Sequence, residues 1–288
     1  MELAGRLFSK IKSLGCFSVH IGGGEPFLDF EGLKNVLRSA GETGIAIDYI
    51  ETNSSWFKNE NQATDMLRQV GELGVTTLLI SISPFHNAYI PFFKVKGVMA
   101  ACRKSGISIF PWVQGFIPDV ESFPDQKSHP LSEYAQRFGP DYLENLPSRY
   151  WISLGGRALK TFRDIFRTKR VEDITAFTGG CPELTDVSHF HFDLYGRYIP
   201  GLCSGISIAN GDVGTPLSPA KYPYITLLYN RGAAGLYELA KEERNNGFKA
   251  RDSYISKCDL CFDIRRFLVL RKKIRTHEFG PESFYREA

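Results

Sequence analysis

The chain has 288 residues, 43% of them hydrophobic and 23% charged, which is ordinary for a globular protein and enough to bury a core without disulfide or metal staples. Its 35 basic and 32 acidic side chains leave a net charge of +3, too balanced to argue for nucleic acid as a partner. No run approaches the roughly 18–20 apolar residues of a membrane span, and the N-terminal MELAGRLFSKIKSLG has neither the apolar core nor the small-residue cleavage site of a secretory signal. The expectation is a cytoplasmic protein without a membrane partner, whose six cysteines are reduced thiols. Clustered reduced thiols suggest metal ligation rather than disulfides.

Residues 2–13 have helical periodicity, with Leu3, Leu7, Ile11 and Leu14 near one face. An apolar run at 17–21 reads as a strand and is followed by Gly22, Gly23 and Gly24. A helix is expected at 30–40, a strand at 45–50 and a polar turn at 52–55. A further helix at 60–72 ends before Gly74, a β-branched strand covers 75–82, a helix at 92–104 ends before Gly106, and a strand covers 107–113. This αβαβαβαβ order predicts right-handed crossover units and a parallel sheet. A barrel, a partial barrel and an open sheet all satisfy it, and all three bind ligands at the C-terminal strand ends. The four strand ends are GGGEP, ETNSS, SISPFHN and PWVQG, a polar floor.

Residues 118–150 break the pattern. Pro118, Pro124, Pro130, Pro140 and Pro147 punctuate them, and the segment reads as a lid or a substrate-contacting insertion. RYWISLGGRAL then reads as a strand and turn leading to a helix at 158–168. Beyond about residue 175 the character changes. HFHFDLYGRYIPGLCSGISI alternates like a hairpin with Gly196 at its turn, and helices are expected at 233–246 and 257–274. The expected organisation is a larger domain at 1–175 and a small α+β appendage at 176–288.

Consecutive glycines after a strand let a ligand approach the backbone closely, because no Cβ intervenes. Pro26 favours an extended conformation at Glu25. The Lys and Ser/Thr of a phosphate-binding P-loop are missing, which argues against a nucleotide loop. A tight structural turn remains the plain alternative. GGEP at the end of a strand in a βα repeat resembles the S-adenosylmethionine-binding motif of the radical S-adenosylmethionine (radical SAM) superfamily. Thr52-Asn53 and Ser81-Ile82-Ser83 resemble the polar ends of that family's next two strands. The resemblance covers residues 1 to about 175 and implies a partial (β/α)6 barrel. Carried over residue by residue, it implies that Gly23, Gly24 and Glu25 meet the amino end of the methionine moiety. Thr52, Asn53, Ser81 and Ser83 would bond its carboxylate or ribose, and Val113 and Gln114 would lie near the adenine. His86 is a candidate to face substrate, with a surface or core role as its alternative.

The family's catalytic 4Fe–4S cluster needs a C-x-x-x-C-x-x-C loop, and no such triplet occurs in this sequence. Cys16 stands alone before a strand and reads as a packing residue. Cys102 falls mid-helix and reads as a buried thiol. The resemblance therefore implies a barrel lacking its first strand and cluster loop: an N-terminally truncated enzyme, the preferred reading because the other motifs are intact, or a non-catalytic relative.

Cys258 and Cys261 form C-x-x-C at the start of a helix, and residues i and i+3 share a face. With Cys181 and Cys203, which bracket the hairpin, they make four thiols suited to a 4Fe–4S cluster or a zinc ion held by four thiolates. The segment resembles the SPASM and twitch auxiliary-cluster appendages of radical SAM enzymes. Four candidates allow one cluster, closer to the twitch type. His189 and His191 alternate on one strand and share a face. One of them is an alternative ligand.

The resemblance implies an enzyme that generates a 5′-deoxyadenosyl radical to modify a substrate, first of all a peptide or protein, with an electron donor as a further partner. Arg149, Tyr150, Trp151 and Arg157 are candidates for the substrate wall. The competing readings are a degenerate barrel acting as a binding module with one structural metal or iron–sulfur site, and a zinc protein. Arg265, Arg266, Arg271, Lys272, Lys273 and Arg275 form a basic cluster, read as a solvated helix face or, alternatively, a phosphate or nucleic-acid contact.

Overall fold

A computed structural model describes residues 2–112, 114–149, 152, 154–177, 179–241 and 247–287. The chain forms two compact units, Met1–Tyr150 and Trp151–Ala288.

The first unit is α/β. It opens with α1 (Glu2–Ser13) and then alternates β1 (Ser18–Ile21), α2 (Phe30–Thr43), β2 (Ala46–Thr52), α3 (Glu60–Glu72) and β3 (Thr77–Ser81). A short α4 (Pro84–Asn87) precedes α5 (Phe92–Ser105) and β4 (Ser108–Trp112). The four strands form one parallel sheet in the order β1-β2-β3-β4, so every strand lies beside its sequence neighbour. The helix boundaries have local causes. Asp29 caps α2 by accepting from Gly32 N at 3.1 Å, and Asn59 caps α3 by accepting from Gln62 N at 3.0 Å. Helices α2 and α5 close on Gly44 and Gly106, both left-handed. Leu33, Leu37, Leu67, Val70, Val98 and Ala101 from the helices pack with Ile50, Leu78 and Ile80 from the strands, and this is the core. The parallel sheet and its three crossover connections through α2, α3 and α5 are thus as the sequence pattern predicts.

Two expectations change. The Pro-rich stretch after β4 is not a free lid. It folds as α6 (Ile117–Glu121), α7 (Leu131–Phe138) and α8 (Leu146–Arg149), and Val120 and Tyr134 join the core. Aromatic rings supply the reason: Phe123 meets Tyr134 at 4.6 Å, and Tyr134 donates to buried Asn87 at 2.7 Å. The fifth strand expected around 149–153 is not present among the described residues. Arg149 ends α8, and residues 150, 151 and 153 lie outside the described set.

The second unit is α+β. It comprises α9 (Arg157–Phe162), β5 (Lys169–Arg170), α10 (Val171–Phe177), β6 (His191–Phe192), β7 (Arg197–Ile199), β8 (Ile208–Ala209), α11 (Pro223–Lys241), β9 (Ser253–Tyr254), α12 (Lys257–Leu270) and α13 (Glu282–Glu287). Strands β6, β7 and β8 form an antiparallel ribbon with Gly196 in its first turn, as the hairpin pattern predicts. Helix α11 begins well before the expected 233, and residues 242–246 lie outside the described set. Its N-terminus is capped from a distance: buried Glu278 accepts from Ile225 N at 2.7 Å and Tyr224 N at 3.2 Å.

The expected boundary at 175/176 does not coincide with this division. Strand β5 pairs antiparallel with β9, and Arg163 reaches Asp259 at 3.1 Å, so residues 157–175 fold with the C-terminal part. Those partners lie far downstream, where no local pattern announces them.

Burial pushes the Cys102 thiol in α5 up to about 12, with Arg103 pulling weakly the other way. An unfolded thiol ionises near its ordinary 9.0. Between these values the native state holds more protons, so stability is lost as pH rises through the window. Urea midpoints of the metal-free protein should therefore fall between about pH 8 and pH 10, and fall less in Cys102→Ala.

Candidate metal centre

Four of the six cysteines lie in the second unit, within electrostatic reach of one another. Cys181 starts a short turn of helix over Pro182–Thr185, and its N–H donates to Leu228 O of α11 at 2.9 Å. Cys203 follows a second such turn over Pro200–Leu202. The two turns pack against each other. At Gly201, left-handed with φ 52°, a Cβ would stand 1.7 Å from Glu183 O, so only glycine permits this approach. Cys258 and Cys261 lie in the first turn of α12, which Ser256 caps by accepting from Asp259 N at 3.2 Å.

Side chains then join these segments. Lys257 pairs with Glu183 at 2.6 Å, bringing the start of α12 to the Cys181 turn. Arg265 donates to Ser204 O at 3.0 Å, bringing the next turn of α12 to the Cys203 loop. The result is that all six pairs among Cys181, Cys203, Cys258 and Cys261 lie within electrostatic reach. Burial, and then Cys261, push Cys181 up to about 11 and Cys203 up to about 12. Cys258 rises for the same two causes, although the residue as a whole reaches solvent. These are neutral thiols at neutral pH, and a metal binding them would displace protons.

Asp259, between the paired cysteines, has no exposed surface. Its Oδ1 accepts from Arg251 at 2.7 Å and Arg163 at 3.1 Å, and its Oδ2 accepts from Ile255 N at 3.2 Å. Arg251 also reaches Asp263 at 3.3 Å and lies 4.1 Å from the Tyr254 ring centroid. Through these bonds the turn that carries both thiols is held on three sides.

Cys16 and Cys102 stay outside this group, as expected. Cys16 donates weakly to Ser18 O at 3.2 Å, and Cys102 is buried in the first unit's core. The rings of His189 and His191 lie 4.8 Å apart, the shared face their spacing predicts.

The other candidate site is the C-terminal edge of the parallel sheet. Gly22, Gly23 and Gly24 are exposed, and the last two are left-handed at φ 82° and 58°. A Cβ built on Gly23 or Gly24 meets nothing within 4 Å, so this backbone stands open. Glu25 turns inward. Its carboxylate accepts from Asn53 N at 2.7 Å, Thr52 Oγ1 at 3.0 Å and Phe27 N at 3.3 Å, which ties the end of β1 to the end of β2. Burial raises its pKa, and the hydrogen bonds from Asn53, Thr52 and Phe27 oppose the rise.

Thr52 is buried, and its Oγ1 also accepts from Ser54 N at 3.1 Å and Trp56 Nε1 at 2.9 Å. Ser83 is buried too, sharing a 2.8 Å bond with His86 Nδ1 and capping α4. These two hydroxyls hold strand ends together rather than facing a ligand. Asn53 spends its Oδ1 on Ser55 N at 2.9 Å and is half-buried, Ser81 is half-buried, and Gln114 is exposed. Val113, Tyr150 and Trp151 lie outside the described residues. Arg149 is a staple: it pairs with Asp119, donates to Gly115 O at 2.6 Å and covers the Phe116 ring at 4.5 Å. Arg157 is exposed.

No protein-family model matches the chain, and no curated protein matches it significantly. Among the described residues no helix is long and apolar enough to cross a membrane.

Sequence reasoning missed Asp259 and Arg265. It read Arg265 as part of a solvated basic face, whereas the residue is only 5% exposed. A signal existed: positions 258, 261 and 265 follow the i, i+3, i+7 spacing of one helical stripe, so Arg265 lies on the cysteine face.

Removing Asp259 strands two arginines at the C-x-x-C turn. Asp259→Ala should destabilise the protein by about 3 kcal/mol, the lower end for a broken buried pair, because the arginines keep 39% and 34% of their side chains in solvent. Urea unfolding of the metal-free protein measures this.

Proposed function

We propose that the chain is a radical SAM-type iron–sulfur protein in which Cys181, Cys203, Cys258 and Cys261 hold one auxiliary 4Fe–4S cluster. The observation that carries this reading is that these four thiols, from three separate segments, lie within electrostatic reach of one another. Cys16 and Cys102, which the C-x-x-C pattern does not call on, stay apart. A cluster bound there supplies one-electron chemistry. The chain's own contribution is to pre-position the thiols through Asp259, Lys257 and the Gly201 approach, so that little ordering remains to be done on binding.

The parallel sheet is the second support. Its order β1-β2-β3-β4, with helices between successive strands, is what four successive units of a partial (β/α)6 barrel require. The exposed Gly23–Gly24 backbone suits the amino end of S-adenosylmethionine, with Asn53, Ser81 and Gln114 as side chains at the same edge. Glu25, Thr52 and Ser83 act as positioning residues. This sequence holds no C-x-x-x-C-x-x-C triplet for the cluster that cleaves S-adenosylmethionine. That observation favours a second reading, in which the chain by itself binds its ligands without converting them.

Anaerobic reconstitution with iron and sulfide tests the cluster. About four irons and four sulfides per chain are expected for one 4Fe–4S centre, retained in Cys16→Ala and Cys102→Ala and lost in Cys258→Ala. One zinc per chain, or no metal, would overturn the assignment. Equilibrium dialysis with labelled S-adenosylmethionine tests the sheet edge: the wild type should bind, and Gly24→Val, strained at φ 58°, should not. Equal binding by both would remove the glycine cradle from the proposal.

A further inference from the structure

Arg265 lies one helical turn beyond Cys261 on α12 and is almost wholly enclosed, at 5% exposure. Its Nη1 donates to Tyr285 Oη at 2.7 Å and to Ser204 O at 3.0 Å, and its charge acts on Cys261. Its charge acts on Cys203 and Cys258 as well. Its Nε is buried without a partner. Asp259, the other buried charge on this helix, is answered by two arginines. Among the described residues no carboxylate answers Arg265. The groups around it are a phenol, a carbonyl and thiols.

A guanidinium cannot shed its charge, and enclosing one without an anion is costly. Four thiolates around a 4Fe–4S core supply one: the assembly is doubly negative when oxidised and triply negative when reduced. A cation beside it favours the reduced form, and hydrogen bonds to ligand sulfurs act in the same direction.

We propose that Arg265 is the electrostatic partner of the auxiliary cluster, balancing its negative charge, donating to a ligand sulfur and raising its reduction potential. This rests on the reading that Cys181, Cys203, Cys258 and Cys261 hold an iron–sulfur cluster. It goes further in naming the residue that sets how readily the cluster accepts an electron. Arg265 acts here as a positioning and charge-balancing residue.

The test is a redox titration of anaerobically reconstituted wild type, Arg265→Met and Arg265→Lys, with iron and sulfide counted in each. Arg265→Met should lower the midpoint so that, at a fixed potential, the reduced-to-oxidised ratio falls at least about tenfold, which is 59 mV for one electron. Arg265→Lys keeps the charge but loses the planar fork, so its midpoint should fall between the other two. A full cluster with an unchanged midpoint in Arg265→Met would overturn the inference while leaving the cluster reading intact. A wild type that takes up no iron would overturn the cluster reading, and the inference with it. Should the variants not fold, wild type labelled with 15N-arginine keeps the question open to experiment. Pulsed EPR of its reduced cluster should show a 15N hyperfine coupling, and a spectrum without one would overturn the inference.

Discussion

A carboxylate with no exposed surface governs the second unit. Asp259 sits between the two cysteines of C-x-x-C, and its burial is tolerated only because Arg163, Arg251 and the Ile255 amide all donate to it. Those donors come from the end of α9, from the segment before β9 and from the turn leading into α12. Meeting that demand draws three stretches of chain to the start of α12 and fixes the direction in which Cys258 and Cys261 leave the helix. The Lys257–Glu183 pair and the contact that only glycine allows at position 201 bring Cys181 and Cys203 to the same place. The thiol cluster is thus the product of polar groups that must be satisfied, with apolar packing around them.

The first unit uses polar groups differently. Its core is formed by helices and strands burying aliphatic side chains, and the polar residues collect at the C-terminal strand ends. There, Glu25 joins β1 to β2 through Thr52 and Asn53, and Ser83 caps α4 while holding His86. Side chains that look like ligand contacts in a linear motif are consumed by this internal bracing. What stays open is backbone, at Gly23 and Gly24. The division of labour is physically sensible: a braced rim keeps an exposed glycine loop in one shape, and a loop in one shape loses less entropy on binding.

Much of this was legible along the chain. The crossover pattern, the helix ends at Gly44 and Gly106, the hairpin turn at Gly196 and the start of α12 at the cysteine pair are local decisions, set by periodicity and caps within a few residues. The placement of Cys258 and Cys261 at the start of one helix was legible too, because C-x-x-C puts both residues on one helical face. The buried state of Arg265 was half legible: its spacing from Cys258 and Cys261 points inward, but its company of basic residues suggests solvent.

By itself, then, the sequence determined the elements of the parallel sheet, their order and the glycine-rich end of its first strand, since these follow from interactions between residues close in the chain. Only the tertiary structure decided that residues 157–175 belong with the C-terminal unit, that the Pro-rich stretch packs onto the core, and that Thr52 and Ser83 are braces. It also decided that Arg265 stands enclosed beside the thiols, with no carboxylate on it among the described residues. Each of these depends on partners far away along the chain, and burial and hydrogen-bond satisfaction are properties of such distant neighbours.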